Sequence, residues 1–457
     1  MIPIPELEAL RSLVQGPVSG PEDPGYALEA FNPSVVQRPE AVLAAVDTAD
    51  VQNAVRWAAD AGIPVGVQAT GHGAASAMDE GLLISTSGLQ DLRLDPDAGT
   101  VALGAGVRWK AVLEEAVPHG FTGPHGSSGT VGVTGYATGG GLPVMGRALG
   151  FCSDHVQSMD VVTPDGAMHH ASPEGEDAEL FAVLRGGKAN FGVVTSLTLG
   201  LNAFTGFYGG GLMYPEESGP QVLEAFRGWT EQLPSDASAS IAFLRLPDAP
   251  FVPAELRGTA PVHVRFACFG SAEAGDTLLE PMRRAIAPLM DTAGPMDYRA
   301  VGSIHMDPDG PIPAMDTGAL LTDLSNELAG VLLDEVGPGS GSPLLMAEVR
   351  LMGGALAVDP PVPDAVSGRS AGFNLYAVGL NAPPVADATA AALGRLNTAM
   401  EPYTGGALVN FSGSAPAGTG GQPFWSSDVL LRLQAAKAAY DPENLFRFGH
   451  AVPLPVP

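Results

Sequence analysis

GSSGTVGVTGYATGGGLPVMGRALG, residues 126–150, decides how the rest of the chain is read. Glycine is denser here than elsewhere, and no charge appears before Arg147. Glycine lacks a Cβ, so its backbone takes φ > 0 and approaches a ligand closely. Consecutive bare N–H groups also make a cradle for an anion such as a pyrophosphate. A flexible linker would interleave glycine with Ser and other polar residues. Here the partners are Val131, Val133, Leu142, Val144, Met145 and Leu149. That composition suits a buried loop lying against a large, flat, partly apolar cofactor.

The familiar nucleotide patterns do not account for it. No GxGxxG follows a strand and opens a helix, and Gly186-Gly187-Lys188 lacks the leading glycine and following Ser/Thr of a P-loop. Ser128, followed by Gly129 and Thr130, fits no GxSxG nucleophile elbow.

Outward from this stretch, 457 residues exceed the usual single core, so two domains are expected. Hydrophobic residues make up 45% and aromatics 6%, a globular composition. The net charge of −28 argues against nucleic acid or an anionic membrane as partner. Cys152 and Cys268 give neither a disulfide framework nor a CxxC metal pair, and no metal is expected. The first residues lack the basic-then-apolar pattern of a secretion signal, and no apolar run reaches membrane-spanning length. A cytoplasmic monomer or homodimer is expected.

A short helix is read over Pro5 to Leu13. Ala41–Asp47 reads as a strand, Thr48–Gly62 as a capped helix and Ile63–Ala69 as a second strand, a unit that favours a parallel pair. GLLIST and RLDPDAGTVALGAGV add strands, and a helix follows from Arg108 to about Val117. Val67–Ser76, VQATGHGAAS, then sets His72 between two glycines at a strand end. Either the backbone satisfies this imidazole in a turn, or the strand behind holds it rigidly at a ligand.

VQATGHG (67–73), GSSGTVGVTGYATGGG (126–141), ALGFCSDHVQSMDVVTPDG (148–166), DAELFAVLRGGKANFGVVTSL (177–197) and YDPENLF (440–446) occur in that order. The set resembles the berberine-bridge-enzyme-like FAD-linked oxidoreductases, of the vanillyl-alcohol-oxidase or PCMH-type superfamily. The resemblance covers roughly residues 30–205 and 405–455. It implies an α+β fold with an FAD-binding domain of residues 1–205 and 406–457. Residues 206–405 would form a substrate-binding domain, an antiparallel sheet covered by helices. VHVRFACF (262–269), LLMAEVRLM (344–352) and FNLYAVGL (373–380) read as its strands, and 219–233 and 386–400 as its helices. Gly337–Pro343 and Pro416–Pro423 read as solvated loops.

The resemblance also assigns residues. His72 would attach the flavin 8α-methyl group covalently, an imidazole nitrogen being nucleophilic near neutral pH. The loop Gln68, Ala69, Thr70, Gly71, His72, Gly73 and Ala74 would hold the pyrophosphate. Gly126, Ser127, Ser128, Thr130, Val131, Gly132, Gly135, Tyr136, Gly139, Gly140, Gly141, Gly146 and Leu149 would line the ADP and flavin, with His155, Gly187, Asn190, Gly192, Val193 and Val194. Asn410, Asn444 and Phe448 would complete the site. Many members carry a second flavin-linking cysteine where this chain has Ser128, so one link, through His72 only, is expected. Cys152 reads as a small buried apolar residue.

Other positions depart from the family. Gln68 replaces its usual Arg, Ala357 stands at the catalytic glutamate and Leu408 at the tyrosine of Tyr-x-Asn-Tyr/Phe, while Asn410 and Phe411 are kept. Gly449 and Ala451 replace a polar ending. Candidates for the proton-accepting group are Tyr136 first, then Tyr376 and Arg350, with His305 behind; ordinary core or surface placement is the competing reading for the last three. His169, His170 and His119 read as exposed turn or helix-end residues without a role. The expected activity is oxidation of a small alcohol, amine or secondary-metabolite intermediate, by hydride transfer to flavin N5 and reoxidation by O2. Two alternatives stay open: a flavin-bound, non-redox cyclase, and a degenerate small-molecule-binding protein.

Overall fold

The computed structural model describes residues 2–28, 30–248, 252, 254–413 and 423–455. Most of the loop read at Pro416–Pro423, up to Gln422, therefore lies outside the described residues. The fold is α+β and rests on three larger sheets.

The first is mostly parallel. Ala41–Ala44 and Val65–Gln68 do not touch; both pair with Leu82–Ser85, which lies between them. The strand–helix–strand unit is thus parallel with a third strand inserted. Its crossover helix, Thr48–Asp60, is capped by the Asp47 side chain accepting from Asp50 N, and buries Val51, Ala54, Val55 and Ala58. The second sheet is antiparallel, in the order Leu92–Asp95, Thr100–Gly104, Val193–Gly200, Val156–Val162, Met168–Ala171. His169 and His170 sit on its last strand rather than in a turn, and bond Asp177 (2.9 Å) and Asp160 (2.7 Å). Met-His-His-Ala does not alternate in hydropathy, and Met168 faces solvent, so nothing in the sequence marks it as a strand.

The third sheet is antiparallel, with Phe207–Tyr214, Val262–Phe269, Ala237–Leu244, Met346–Leu351, Phe373–Leu380 and Ala314–Leu321 in that spatial order. Successive side chains of a strand point to opposite faces. Val262, Val264, Phe266 and Cys268 therefore share a core with Val349, Leu375, Ala377 and Ala319, under helices that include Gly219–Thr230, Asn326–Val336 and Ala386–Met400. The other face presents Arg265, Glu348, Arg350, Tyr376 and Asp316, three of them charged residues buried to within a few per cent. Burying ionic groups on one face of a sheet is costly unless they are paired or serve a site.

The C-terminal segment returns to the first part of the chain through a buried polar clasp. Lys437, fully buried on helix Ser427–Tyr440, donates to Asp441 Oδ2 (2.6 Å), Phe446 O (2.6 Å) and Asn190 O (3.0 Å). Asp441 in turn accepts from Leu445 N and Phe446 N. The YDPENLF motif is thereby folded back on itself and tied to residue 190. Among the described residues, no helix is long and apolar enough to cross a membrane, and no cluster of metal-ligating side chains forms.

Candidate functional site

A cavity of about 960 Å³ lies between the polar face of the third sheet and the loops of the other two. Its first wall is the loop after strand Val65–Gln68, with Gln68, Ala69, Thr70, Gly71, His72, Gly73 and Ala74 all lining it. Among the described residues, the N–H groups of His72, Gly73 and Ala74 donate to no protein acceptor. A run of unsatisfied amides beside a cavity is an anion cradle.

The His72 ring stacks on Phe31, with centroids 3.8 Å apart and planes 14° apart, and its Nε2 lies 2.9 Å from Thr130 Oγ1. Burial, helped by the Arg108 charge, pushes its pKa down to about 4. The imidazole is therefore neutral at pH 7 and keeps a lone pair. Ser128 does not reach toward a ligand by a bond of its own: its Oγ pairs with Thr130 Oγ1 at 2.8 Å, fixing the hydroxyl that holds His72.

The glycine stretch forms the second wall through Gly126, Ser127, Ser128, Val131, Gly132, Gly135 and Tyr136, with Gly192, Val194, Asn410 and Phe448 beside it. Two of its glycines serve packing. A Cβ on Gly126 would lie 3.2 Å from the Tyr136 ring, and one on Gly141, whose φ is +70°, would lie 2.4 Å from it. Tyr136 rests edge-on against Trp109, and burial raises its pKa well above the ordinary 10. Burial thus favours the protonated phenol, which can donate a hydrogen bond, and its hydroxyl has no partner among the described residues.

Several expected residues stand behind the wall. Thr130 acts through His72 rather than by lining the cavity. Gly139, Gly140 and Gly141 turn the chain, and Gly146 packs on Leu356. His155 Nε2 is engaged by Leu149 O at 2.7 Å. Gly187 packs on Val183, Leu433 and Phe191, and Val193 is fully buried. Asn190 bonds His450 O (2.9 Å) and Val452 N (2.8 Å), anchoring the C-terminal segment. Asn444 holds a left-handed φ of 54° in the same segment. Ala357 is exposed on a short helical turn and Leu408 is buried in an apolar cluster, so neither position lines the cavity.

The third wall is the sheet. Glu348 accepts from Arg265 Nη1 (2.7 Å), Arg350 Nη2 (2.9 Å) and Ser240 Oγ (2.7 Å). Burial pushes its pKa up, but Arg350 and Arg265 more than offset this, and the carboxyl stays well below its ordinary range. The same Arg350 Nη2 donates to His305 Nε2 at 3.1 Å, and its guanidinium lies 5.7 Å from the Phe411 ring centroid. A guanidinium so engaged has no capacity to accept a proton; its part is positive charge. Next to it, Tyr376 Oη donates to Asp316 Oδ2 at 2.9 Å. Burial and the Asp316 charge raise the Tyr376 pKa well above 10.

Asp316, Glu348, Arg265, Asp307 and Lys188 were not singled out as site residues from sequence, yet all but Glu348 line the cavity directly. The available signal was an acid or base at alternate positions in strands otherwise rich in apolar residues, as in AMDTGALL and MAEVRL.

The cavity suits FAD on its own terms: an amide cradle with a neutral imidazole beside it, a glycine-lined wall, and an apolar floor that includes Val67, Met78 and Leu83. A family model described as an FAD binding domain matches residues 39–172, and one described as berberine and berberine-like matches residues 417–453. The chain therefore carries an FAD-binding domain and a berberine-like segment near its C-terminal end. Its FAD-binding model falls on the first two cavity walls.

The chain is 25% identical over 448 residues to an uncharacterized FAD-linked oxidoreductase of Bacillus subtilis, covering 94% of this chain and 96% of that one. It is 29% identical over 192 residues to (R)-6-hydroxynicotine oxidase of Paenarthrobacter nicotinovorans, covering 41% of this chain and 42% of that one. Among solved structures, Physcomitrella patens BBE-like 1 superposes with a TM-score of 0.84 at 19% identity, over 99% of this chain and all of that one. 6-Hydroxy-D-nicotine oxidase of Arthrobacter nicotinovorans gives 0.82 at 22% identity, over 96% and 98% of the two chains. These structural likenesses establish the fold.

Proposed function

We propose that this protein is an FAD-dependent oxidase of a small organic molecule, with the flavin bonded through His72 alone. Residues 1–205 and 406–457 bind the cofactor, and residues 206–405 bind the substrate. The observation that carries this reading is one cavity joining the amide cradle and neutral His72 to the Tyr376–Asp316 pair.

Bound FAD supplies a two-electron acceptor for a substrate hydride, returned to O2 in turnover. The protein's own groups do the rest. His72, stacked on Phe31 and oriented by Thr130, offers a ring nitrogen for the single covalent bond, and Ser128 cannot form a second. Gln68 to Ala74 hold the diphosphate, and Asn410, whose Nδ2 donates to Tyr136 O at 2.9 Å, braces the glycine wall. Tyr376 receives the substrate O–H or N–H proton as its own passes to Asp316 across the 2.9 Å bond, so the phenol never has to ionise on its own. Arg350 keeps positive charge beside the reacting group, and Tyr136 donates a hydrogen bond. In this arrangement Asp316 takes over the carboxylate role that Ala357 lacks. Phe411, packed edge-on against Tyr376 at 5.3 Å, keeps water from the pair.

The test begins with the visible spectrum and acid precipitation of the purified protein. A yellow pellet whose intact mass carries one FAD, with both lost in His72→Ala, supports the link; flavin in the supernatant removes the covalent part only. A panel of alcohols and amines is then assayed for hydrogen peroxide. A colourless protein that takes up no added FAD sinks the reading.

A further inference from the structure

Lys188 is one of the chain's three lysines (Lys110, Lys188, Lys437), and its backbone holds a left-handed φ of 58°. Glycine adopts that conformation freely and a lysine does not. Backbone strain of this kind persists where the surroundings demand a particular side chain. Its Nζ donates to Gly135 O at 3.0 Å and to Asn410 Oδ1, which uses two of three ammonium protons. Among the described residues no carboxylate pairs with it. Lys188 lines the cavity. A Cβ built on Gly73 would lie 3.9 Å from its Nζ, and no other atom would come within 4 Å. The ammonium therefore faces the loop whose His72, Gly73 and Ala74 amides have no acceptor. In that loop Gln68 brings no charge, and the chain as a whole carries −28. A dianionic diphosphate entering such a molecule needs a local cation.

We propose that Lys188 is a diphosphate-binding residue: its third N–H, together with the His72–Ala74 amides, holds the bridging phosphates of the dinucleotide. The proposal rests on the flavin reading of the cavity. Amides alone supply partial charges, and the ammonium adds a full one at a fixed point, as in charge-assisted phosphate contacts. Asn410 and Gly135 serve as its positioning partners.

The test uses the full chain with His72→Ala as parent, so that FAD binds reversibly, and follows affinity by flavin fluorescence. Lys188→Met in that parent is expected to weaken FAD roughly 10- to 100-fold, the loss of one hydrogen bond to a charged group. It should also move the ³¹P resonances of bound FAD while leaving the flavin absorption maxima in place. Lys188→Arg should recover most of the affinity. Lys188→Gly should raise the Tm of the FAD-free protein by relieving the left-handed lysine, yet bind FAD as poorly as Lys188→Met; this separates loss of contact from loss of fold. Unchanged affinity in Lys188→Met, or shifted absorption maxima with unmoved ³¹P resonances, overturns the proposal and leaves the flavin reading standing. A wild-type protein that carries no flavin and takes up none overturns the flavin reading itself.

Discussion

Glu348→Ala removes the one carboxylate between two buried guanidiniums. Glu348 is 2% exposed, and Arg265 and Arg350 are 3% and 7% exposed, so neither cation is relieved by bulk water. Deleting one partner of a buried ion pair costs about 3–5 kcal/mol, because the survivor's charge is left uncompensated. The cavity beside Arg350 admits some solvent, which places this case near the lower end, about 3 kcal/mol. Unfolding entropy of about 2.1 cal/mol/K per residue gives about 1 kcal/mol/K for the 457-residue chain, hence a Tm lower by about 3 °C if the chain melts as one unit. If the third sheet and its helices melt separately, that transition falls by roughly twice as much. Differential scanning calorimetry of wild type, Glu348→Ala and the triple replacement of Glu348, Arg265 and Arg350 by Met measures it. The triple variant should recover much of the loss, since no buried charge remains to be compensated. A Glu348→Ala protein within 1 °C of wild type would refute the assignment of Glu348 as the buried counter-ion of both arginines.

Once a turned-over substrate is identified, Tyr376→Phe should lower kcat by about 10²–10⁴-fold, and Asp316→Asn by a similar factor. The double variant should be little worse than the worse single, because the two act as one relay; fully additive losses would show that they act apart. Acid should destabilise the fold through His125, which is 1% exposed, bonded to Gly126 O and Tyr298 Oη, and whose pKa burial pushes down to about 4. Between the ordinary 6.5 and about 4 the unfolded chain binds a proton that the folded chain refuses. Its contribution is whole above pH 6.5 and is lost as pH falls toward 4, about 3 kcal/mol in all. Urea midpoints at pH 7 and pH 4.5 should therefore converge in His125→Asn relative to wild type, and an unchanged gap would remove His125 as the cause.

The positions of function divide by how far their partners lie along the chain. His72 between its glycines, the apolar-glycine wall and the strand–helix–strand unit are local patterns, and the sequence carries each within some 25 residues. Backbone sterics and side-chain periodicity act at that range, so these features could be read directly. Even the third sheet was legible as strands, because their core-facing positions alternate. The other half of that alternation has no meaning until strands are laid side by side. Tyr376 meets Asp316 because Gly318 pairs with Tyr376 and Asp316 with Val378, which sets the two side chains diagonally on one face. Lys188 meets Asn410 across 222 residues, and Ser127 meets Asp307 across 180. Tyr136 is placed by the glycine stretch, but its burial against Trp109, which raises its pKa, is a property of the folded chain. Sequence alone determined the cofactor class and the loop that cradles it. Register and desolvation, which belong to the folded chain as a whole, decided which groups gather opposite that loop and in what protonation state.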